Sequence, residues 1–424
     1  MAADPPFDVV LVIADDQLAP DSVHRAMPFL ATRPHGGWTT FRDATAATPL
    51  CGPSRATLLT GQFANQHGVV DNDGSLLDDT STIATWLQTA GYRTGLVGKY
   101  INRFPFGKSA RARPGWETWR VFTNPGYFAY TITRDATGRR RHPSTYSTDF
   151  LTRAAVKFIS KVAEDPRPFM LLVGYNAPHS PHTPALIYSG IAIGFTDSPN
   201  FNEENVGEKP GYIRGLPALK PGKQTRVRNA RQDHYRALRS VDDGIRAIMN
   251  ELEATERLDR TLFIYTGDNG YSFGAHRWLR KRVPYEESAR VPLLMRYPTA
   301  TADRNVTVPA STVDVVATIA DIAGATPGLP LAGESLRPIL DGTASGLTRA
   351  AALITYRAAG MHVPRYWAVR TEAAKYIEYD DGERELYDLV ADPFETANIA
   401  TEPPSPQQTA LAAQLAELKA AAGA

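Results

Sequence analysis

Short apolar runs alternate along this chain with stretches of helical period, and that alternation is the strongest constraint on its fold. Asp8 to Ala14 is such a run, β-branched and of the length of a strand buried on both faces. Tyr92 to Val97, Phe169 to Val173 and Thr261 to Thr266 repeat the pattern. Between these runs the sequence predicts helices. One spans Ser54 to Thr60, with Pro53 near its start and Gly61 past its end; another spans Ser81 to Ala90, capped by Ser81 and stopped by Gly91. Asp233 to Leu252 and Ser311 to Ala323 are two more, and Thr148 to Val162 is amphipathic, with Leu151, Ala155, Phe158 and Ile159 on one face. Strands and helices in this order predict an α/β fold, a mostly parallel central sheet flanked by helices.

At 424 residues the chain exceeds one average domain. The rhythm breaks near residue 350, which divides it into a large α/β domain, 1–349, and a smaller C-terminal α+β subdomain, 350–424. In the latter, Tyr366 to Arg370 and Lys375 to Tyr379 read as antiparallel strands, and a helix from Gln407 to Ala422 follows the linker Pro403 to Pro406. Residues 183–230, rich in Gly, Pro and Asn, read as a long irregular segment of the kind that carries function.

The formal charge of +1 argues against bulk electrostatic binding to nucleic acid or to a membrane. No apolar run reaches the roughly 18 residues that cross a bilayer. Met1 to Pro6 has neither a basic head nor an apolar core, so the chain as written is expected in the cytoplasm, and in the periplasm or outside the cell if a signal has been removed.

Chemistry gathers just after strands, where ligands sit in open parallel sheets. Asp15 and Asp16 follow the first run, and Asp268 and Asn269 follow the run ending at Thr266. Together they are a hard, oxygen-rich set suited to Ca²⁺ or Mg²⁺. Each pair alone reads more readily as a turn, and it is the two pairs at strand ends that point to a ligand set. The single cysteine, Cys51, excludes an intrachain disulfide and a cysteine-rich metal site. A lone cysteine is ordinarily a small buried hydrophobe. This one stands just before a predicted helix start, where free N–H groups favour an anion, and Arg55 lies one turn further on.

Cys51-Gly52-Pro53-Ser54-Arg55, followed by Ala56 to Gly61, resembles the signature of the sulfatase family, within the alkaline-phosphatase-like superfamily. The resemblance runs through Asp15-Asp16, Gly98-Lys99-Tyr100, Ala177-Pro178-His179, Thr266 to Gly270, Lys281 with Tyr285-Glu286-Glu287, and Glu385 to Leu389. It implies a sulfatase that cleaves sulfate monoesters. Cys51 would be oxidised to Cα-formylglycine by a formylglycine-generating enzyme. Asp15, Asp16, Asp268, Asn269 and the modified Cys51 would hold Ca²⁺, with Mg²⁺ an alternative. One hydroxyl of the hydrated aldehyde, deprotonated by a carboxylate such as Asp268, would attack sulfur, and the second would expel sulfate. His179 and Lys281 are the implied acids for the leaving alcohol. Lys99, Lys281 and Arg55 would neutralise the sulfuryl oxygens.

Many sulfatases carry a histidine two residues after the Lys99 position, and here Ile101 stands there. Gly98 to Asn102, Pro114-Gly115-Trp116 and Ser240 to Asp243 resemble instead the glucosamine-6-sulfatase branch. That resemblance implies a sulfated-sugar substrate of the glucosamine 6-sulfate type, including glycosaminoglycans, with Asn102 a candidate substrate contact; His182 and His276 are two further candidates, either of which could face the leaving group. His67 is a candidate to pack near the site. Trp116, Trp119, Phe122, Tyr127, Phe128 and Tyr130 read either as a sugar platform or as core. Arg226, Arg228 and Arg231 read either as a polyanion contact or as a solvated face. Two rival readings stand beside the sulfatase: a phosphodiesterase or phosphonate monoester hydrolase of the same superfamily, and a catalytically silent sulfated-glycan-binding protein with Cys51 left as a thiol.

Overall fold

The computed structural model describes residues 7–18, 21–105, 113–134, 138–142, 144–359 and 362–423, so the first six residues lie outside it. Ten strands form the main sheet: β1 Asp8–Ala14, β2 Trp38–Phe41, β3 Arg93–Gly98, β4 Thr118–Asn124, β5 Tyr130–Arg134, β6 Gly138–His142, β7 Phe169–Gly174, β8 Thr261–Gly267, β9 Leu293–Arg296 and β10 Arg304–Val306. Their order is β10-β2-β9-β8-β1-β7-β3-β4-β5-β6. The central run β8-β1-β7-β3-β4 is parallel throughout. Antiparallel pairing enters at β9 and β5.

Every residue of β1, β7 and β8 is buried. Side chains of β1 alternate between two cores, as strand geometry requires. Val9, Leu11 and Ile13 pack with helices α1 (Cys51–Thr60), α2 (Ile83–Thr89) and α5 (Thr312–Ala323). Val10 and Val12 pack on the other face with α3 (Ser147–Val162) and α4 (Pro221–Ala254). The result is a sheet sandwiched between helix layers. No helix among the described residues is long and apolar enough to cross a membrane.

A second sheet holds four antiparallel strands in sequence order: β11 Ala352–Tyr356, β12 Tyr366–Arg370, β13 Ala374–Tyr379 and β14 Arg384–Asp388. Leu411 and Leu415 of α6 (Pro406–Ala421) cover one face, against Trp367, Val369 and Leu386. The other face meets Leu50, Val283 and Tyr285 of the main body. Buried ion pairs pin the seam: Lys375 Nζ lies 2.7 Å from both Glu286 and Glu395, and Arg370 reaches Asp43 at 2.8 Å.

Several boundaries differ from the sequence expectation. Helix α1 begins at Cys51, with Leu50 as its extended cap, so the cysteine is the first helical residue rather than the one before the helix. The 81–90 helix is shorter, with Thr82 rather than Ser81 at its cap. Helix α4 begins at Pro221, twelve residues before the expected Asp233, which shortens the irregular segment to about residue 220. Its extra turns carry no apolar stripe, and periodicity had nothing to read there. Strands β11 and β14 were not expected.

Candidate active site

Four adjacent parallel strands, β8, β1, β7 and β3, end side by side and deliver the candidate side chains from their carboxyl ends. Asp15 and Asp16 follow β1, Lys99 follows β3, His179 lies five residues past β7, and Asp268 and Asn269 follow β8. The strand ends close tightly. Gly98 has φ +109°, and a Cβ there would lie 2.0 Å from the Gly174 carbonyl oxygen. Helix α1 brings Cys51 across these ends. Its N-terminus is not the anion cradle expected from sequence: the Gly52 N–H donates to Asn72 Oδ1 at 2.7 Å, and Pro53 has no N–H.

Cys51 is fully buried. Its Sγ lies 3.3 Å from Asp15 Oδ1 and 3.4 Å from Asp16 Oδ1, and Lys281 Nζ donates to it at 2.6 Å. Lys281 also pairs with Asp16, and Lys99 Nζ donates to Asp15 Oδ2 at 2.6 Å. Arg55 Nε donates to Asp268 Oδ2 at 2.8 Å and Nη1 donates to the Lys99 carbonyl at 2.9 Å. Asp268 Oδ1 accepts the Asp16 N–H at 3.0 Å. These are the Cys51, Arg55, Lys99, Lys281, Asp15, Asp16, Asp268 and Asn269 of the sequence reading, and they form one buried cluster.

Three carboxylates and three cations share this volume. Burial works against every charge, and the partners decide the outcome. Burial disfavours both ammonium groups more than any single partner favours them, but the anionic neighbours together, led by Asp15 for Lys99 and Asp16 for Lys281, raise both pKa values. Asp15 and Asp16 sit below the usual carboxylate range because Lys99, Lys281 and His179 overcome their desolvation. Burial and then the three aspartates push the Cys51 thiol well above its ordinary value. That shift disfavours the thiolate, which is the nucleophilic form of an unmodified cysteine.

Among the described residues, two buried atoms of this cluster, Asn269 Oδ1 and Arg55 Nη2, have no partner and indicate what the site takes. Asn269 donates its Nδ2 to Asp16 Oδ1 and to the Gly270 carbonyl, both at 2.8 Å, while its Oδ1 has no donor. A bare amide oxygen beside carboxylates fits a hard divalent cation. Arg55 Nη2 is a buried donor with no acceptor, which fits an anion's oxygen. Asp15, Asp16, Cys51 and His179 each offer a ligand atom, all within 4.8 Å of one another.

His179 was expected as a proton donor, and its ring stands at the open side of the cluster, with its side chain 36% exposed. Its Nδ1 bonds the Ser180 carbonyl at 2.7 Å, which sets Nδ1 as the N–H and leaves Nε2 3.6 Å from Asp16. The Tyr127 hydroxyl donates to the His179 carbonyl at 2.7 Å and fixes that loop. Sequence reasoning placed Tyr127 in an aromatic group without a separate role. The rest of that group is mostly core, with Trp116, Trp119, Phe122 and Tyr130 buried and Phe128 exposed. Asn72 was missed because nothing in its local sequence links it to Gly52.

The remaining candidates scatter. Asn102 is half-buried after β3, with an unpartnered buried Oδ1, and neighbouring Ile101 is core. His182 is buried, bonded through Nδ1 to the Pro178 carbonyl at 2.6 Å and packed on His234, Tyr271 and Phe273. His67 Nδ1 accepts the Val69 N–H and Nε2 meets Thr57, a neutral clamp on α1 whose pKa burial pushes down to about 4.

His276 is not brought to the cluster. Its hairpin, with positive φ at Gly274, His276 and Arg277, turns back under residues 200–203. The ring is fully buried against Tyr285, with Nδ1 2.6 Å from Glu203 and Nε2 3.2 Å from Asn200. Burial pushes the Glu203 carboxyl up to about 7 from 4.5. A raised folded value means stability present below pH 4.5 and lost as pH rises through 7. Glu203→Gln is expected to flatten the fall of Tm across that window, measured by thermal unfolding at several pH values. A parallel fall in both proteins would overturn the assignment.

A family model described as Sulfatase matches residues 8–325, and one described as N-sulphoglucosamine sulphohydrolase, C-terminal, matches residues 274–421. The N-acetylglucosamine-6-sulfatase of Capra hircus is 31% identical over 455 residues, covering 93% of this chain and 80% of that protein. The extracellular sulfatase SULF-1 homolog of Drosophila melanogaster is 29% identical over 78% of this chain, which spans only 31% of that protein's length. Among solved structures, a protein in complex with its substrate D-glucosamine-2-N,6-O-disulfate superposes with a TM-score of 0.84 at 24% identity, covering 99% and 98% of the two chains. The phosphonate monoester hydrolase of Agrobacterium radiobacter superposes at 0.76 with 23% identity, covering 98% and 96%.

Proposed function

The chain belongs to the sulfatase family of sulfuric ester hydrolases, and from that premise we propose that it removes sulfate from sugars of the glucosamine 6-sulfate type. One observation carries the reading: Cys51 lies among three aspartates and three cations, beside a bare amide oxygen and an unpaired guanidinium N–H. A division of the chain near residue 350 goes with it, the second sheet bracing the Lys281–Tyr285 side of the site through Lys375 and Arg370.

Asp15, Asp16, Asp268 and Asn269, with the Cys51 side chain, would hold Ca²⁺ or Mg²⁺, which supplies a Lewis acid when bound. Cα-formylglycine, made from Cys51 by a formylglycine-generating enzyme, would add water to become a geminal diol and so supply two hydroxyls on one carbon. The chain's own residues do the rest. Arg55, Lys99 and Lys281 meet the sulfuryl oxygens and balance their charge. Asp268 is the proton acceptor in this reading, since a carboxylate has about four lone-pair sites and two of its own are in use. His179, protonated, holds its proton on Nε2 and passes it to the leaving alcohol, with Nδ1–H anchored on Ser180.

The leaving group tests the role of His179. A sugar alcohol needs a proton on departure and 4-nitrophenolate does not. His179→Ala is expected to lower kcat on a sugar 6-sulfate by about a hundredfold or more. The loss on 4-nitrophenyl sulfate should be far smaller. Equal losses would remove the acid role. For the function as a whole, kcat/KM on glucosamine 6-sulfate is compared with that on an aryl phosphodiester. A large preference for the diester would favour the phosphodiesterase reading instead. A glycan-binding protein without activity would show an unaltered Cys51 peptide mass.

A further inference from the structure

The basic run at the start of α4 divides into tethered and free members. Arg228 pairs with Asp197 and lies over Phe201, and Arg231 lies over Phe195 and bonds the Tyr235 hydroxyl. These two hold down residues 195–201. Arg226 is exposed, as is Arg280, and Lys223 is half-buried. Among the described residues, none of these three side chains has an ion pair or hydrogen bond. All three line one groove of about 400 Å³, together with His182, Tyr271 and Phe273.

This groove adjoins the open side of the catalytic cluster. The His182 N–H donates to the His179 carbonyl at 2.9 Å. Arg280 immediately precedes Lys281, whose ammonium touches Cys51. Tyr271 lies within electrostatic reach of Asp16, Lys281 and Arg280 at once. The acids near His182 are Asp16, already paired with Lys281, and Asp233, paired with Arg236 at 2.8 Å. Three unpaired cations along a concave wall concentrate positive potential and attract an anion. The aromatic floor of Tyr271 and Phe273 suits a sugar ring.

We propose that this groove is a second anion subsite, which holds a further sulfate or carboxylate of the same glycan while the scissile sulfate occupies the catalytic cluster. The inference rests on the sulfatase reading above and deepens it: the preferred substrate is a polyanionic sugar. A monosulfated substrate leaves the groove unused.

The test is the triple variant Lys223→Ala, Arg226→Ala, Arg280→Ala. It is assayed on 4-nitrophenyl sulfate, on a glucosamine carrying both N- and 6-O-sulfate, and on a heparin-type tetrasaccharide. KM for the polyanionic substrates is expected to rise about tenfold more than for the aryl sulfate, and the difference should shrink at high salt. A rise on both sugars places the second anion on the same ring, and a rise on the tetrasaccharide alone places it on a neighbouring ring. Equal effects on all three substrates, or none, overturn the proposal. Calorimetric binding of the tetrasaccharide in a Cys51→Ala background reads the groove without turnover. Weaker binding there supports the subsite even if the assays show that the scissile group is not a sulfate. A single Arg280→Gln variant keeps the test available if the triple variant folds poorly.

Discussion

Cys51→Ala is expected to abolish sulfate ester hydrolysis, lowering kcat by at least about a thousandfold, because the nucleophile is lost rather than weakened. The fold should survive. Cys51 is buried in the first turn of α1 and alanine keeps the helix, so the cost is about 1 kcal/mol for a small cavity. Lys281 retains Asp16 as its partner. Cys51→Ser separates the chemistry further. Serine has one hydroxyl, so it can take sulfate but has no second hydroxyl on the same carbon to expel it. The expected result is a stable sulfated protein, seen as an added SO₃ in the intact mass, with no sustained turnover. For the unsubstituted protein made in a host that oxidises such cysteines, the Cys51 peptide should lose H₂S and gain one oxygen. Full activity in Cys51→Ala, or hydrolysis by protein whose Cys51 peptide is unaltered, would end the nucleophile assignment.

Removal of divalent metal is expected to have the second-largest effect, a loss of about a hundredfold or more in kcat/KM that Ca²⁺ reverses best. Asp15 and Asp16 are held ionised in a buried cluster, and the Asn269 Oδ1 beside them has no donor. A cation there relieves carboxylate repulsion and satisfies a bare oxygen. Stability supplies a readout independent of catalysis. A ligand that binds only the folded state stabilises it by about 2.7 kcal/mol at a hundred times its Kd, so Tm should climb with Ca²⁺ concentration. Asp16→Asn should flatten that climb. An unchanged rate after verified metal removal, with a Tm indifferent to Ca²⁺, would dismiss the ligand set.

Part of the cluster was legible in the sequence because Asp15, Asp16, Asp268 and Asn269 sit next to strand ends. Asp15-Asp16 and Asp268-Asn269 each follow an apolar run, and in a parallel sheet those ends share one edge. Lys99, His179 and Lys281 followed from the resemblance of their motifs, together with Cys51-Gly52-Pro53-Ser54-Arg55, to the sulfatase family. The supporting contacts were not legible. Tyr127 touches the His179 loop from 52 residues away, and Asn72 reaches Gly52 from 20 residues away, neither with a periodic signal.

Histidines show the limit most clearly. His179, His182 and His276 carry the same ring, yet one stands at the mouth of the site, one lines the groove beside it, and one is sealed behind Glu203. The basic run on α4 is similar, since only folding of residues 195–201 against it separates the tethered Arg228 and Arg231 from the free Arg226.

From its sequence alone this protein's class of fold and its candidate side chains follow, the fold and the strand-end carboxylates from hydrophobic period and residue chemistry in neighbouring positions, the lysines and His179 from the resemblance of their motifs. Which side chains face one another was decided by the tertiary structure, through the strand order that sets residues 15, 99, 179 and 268 along one edge. That order depends on long-range packing of two cores against both faces of the sheet, and no stretch of local sequence encodes it.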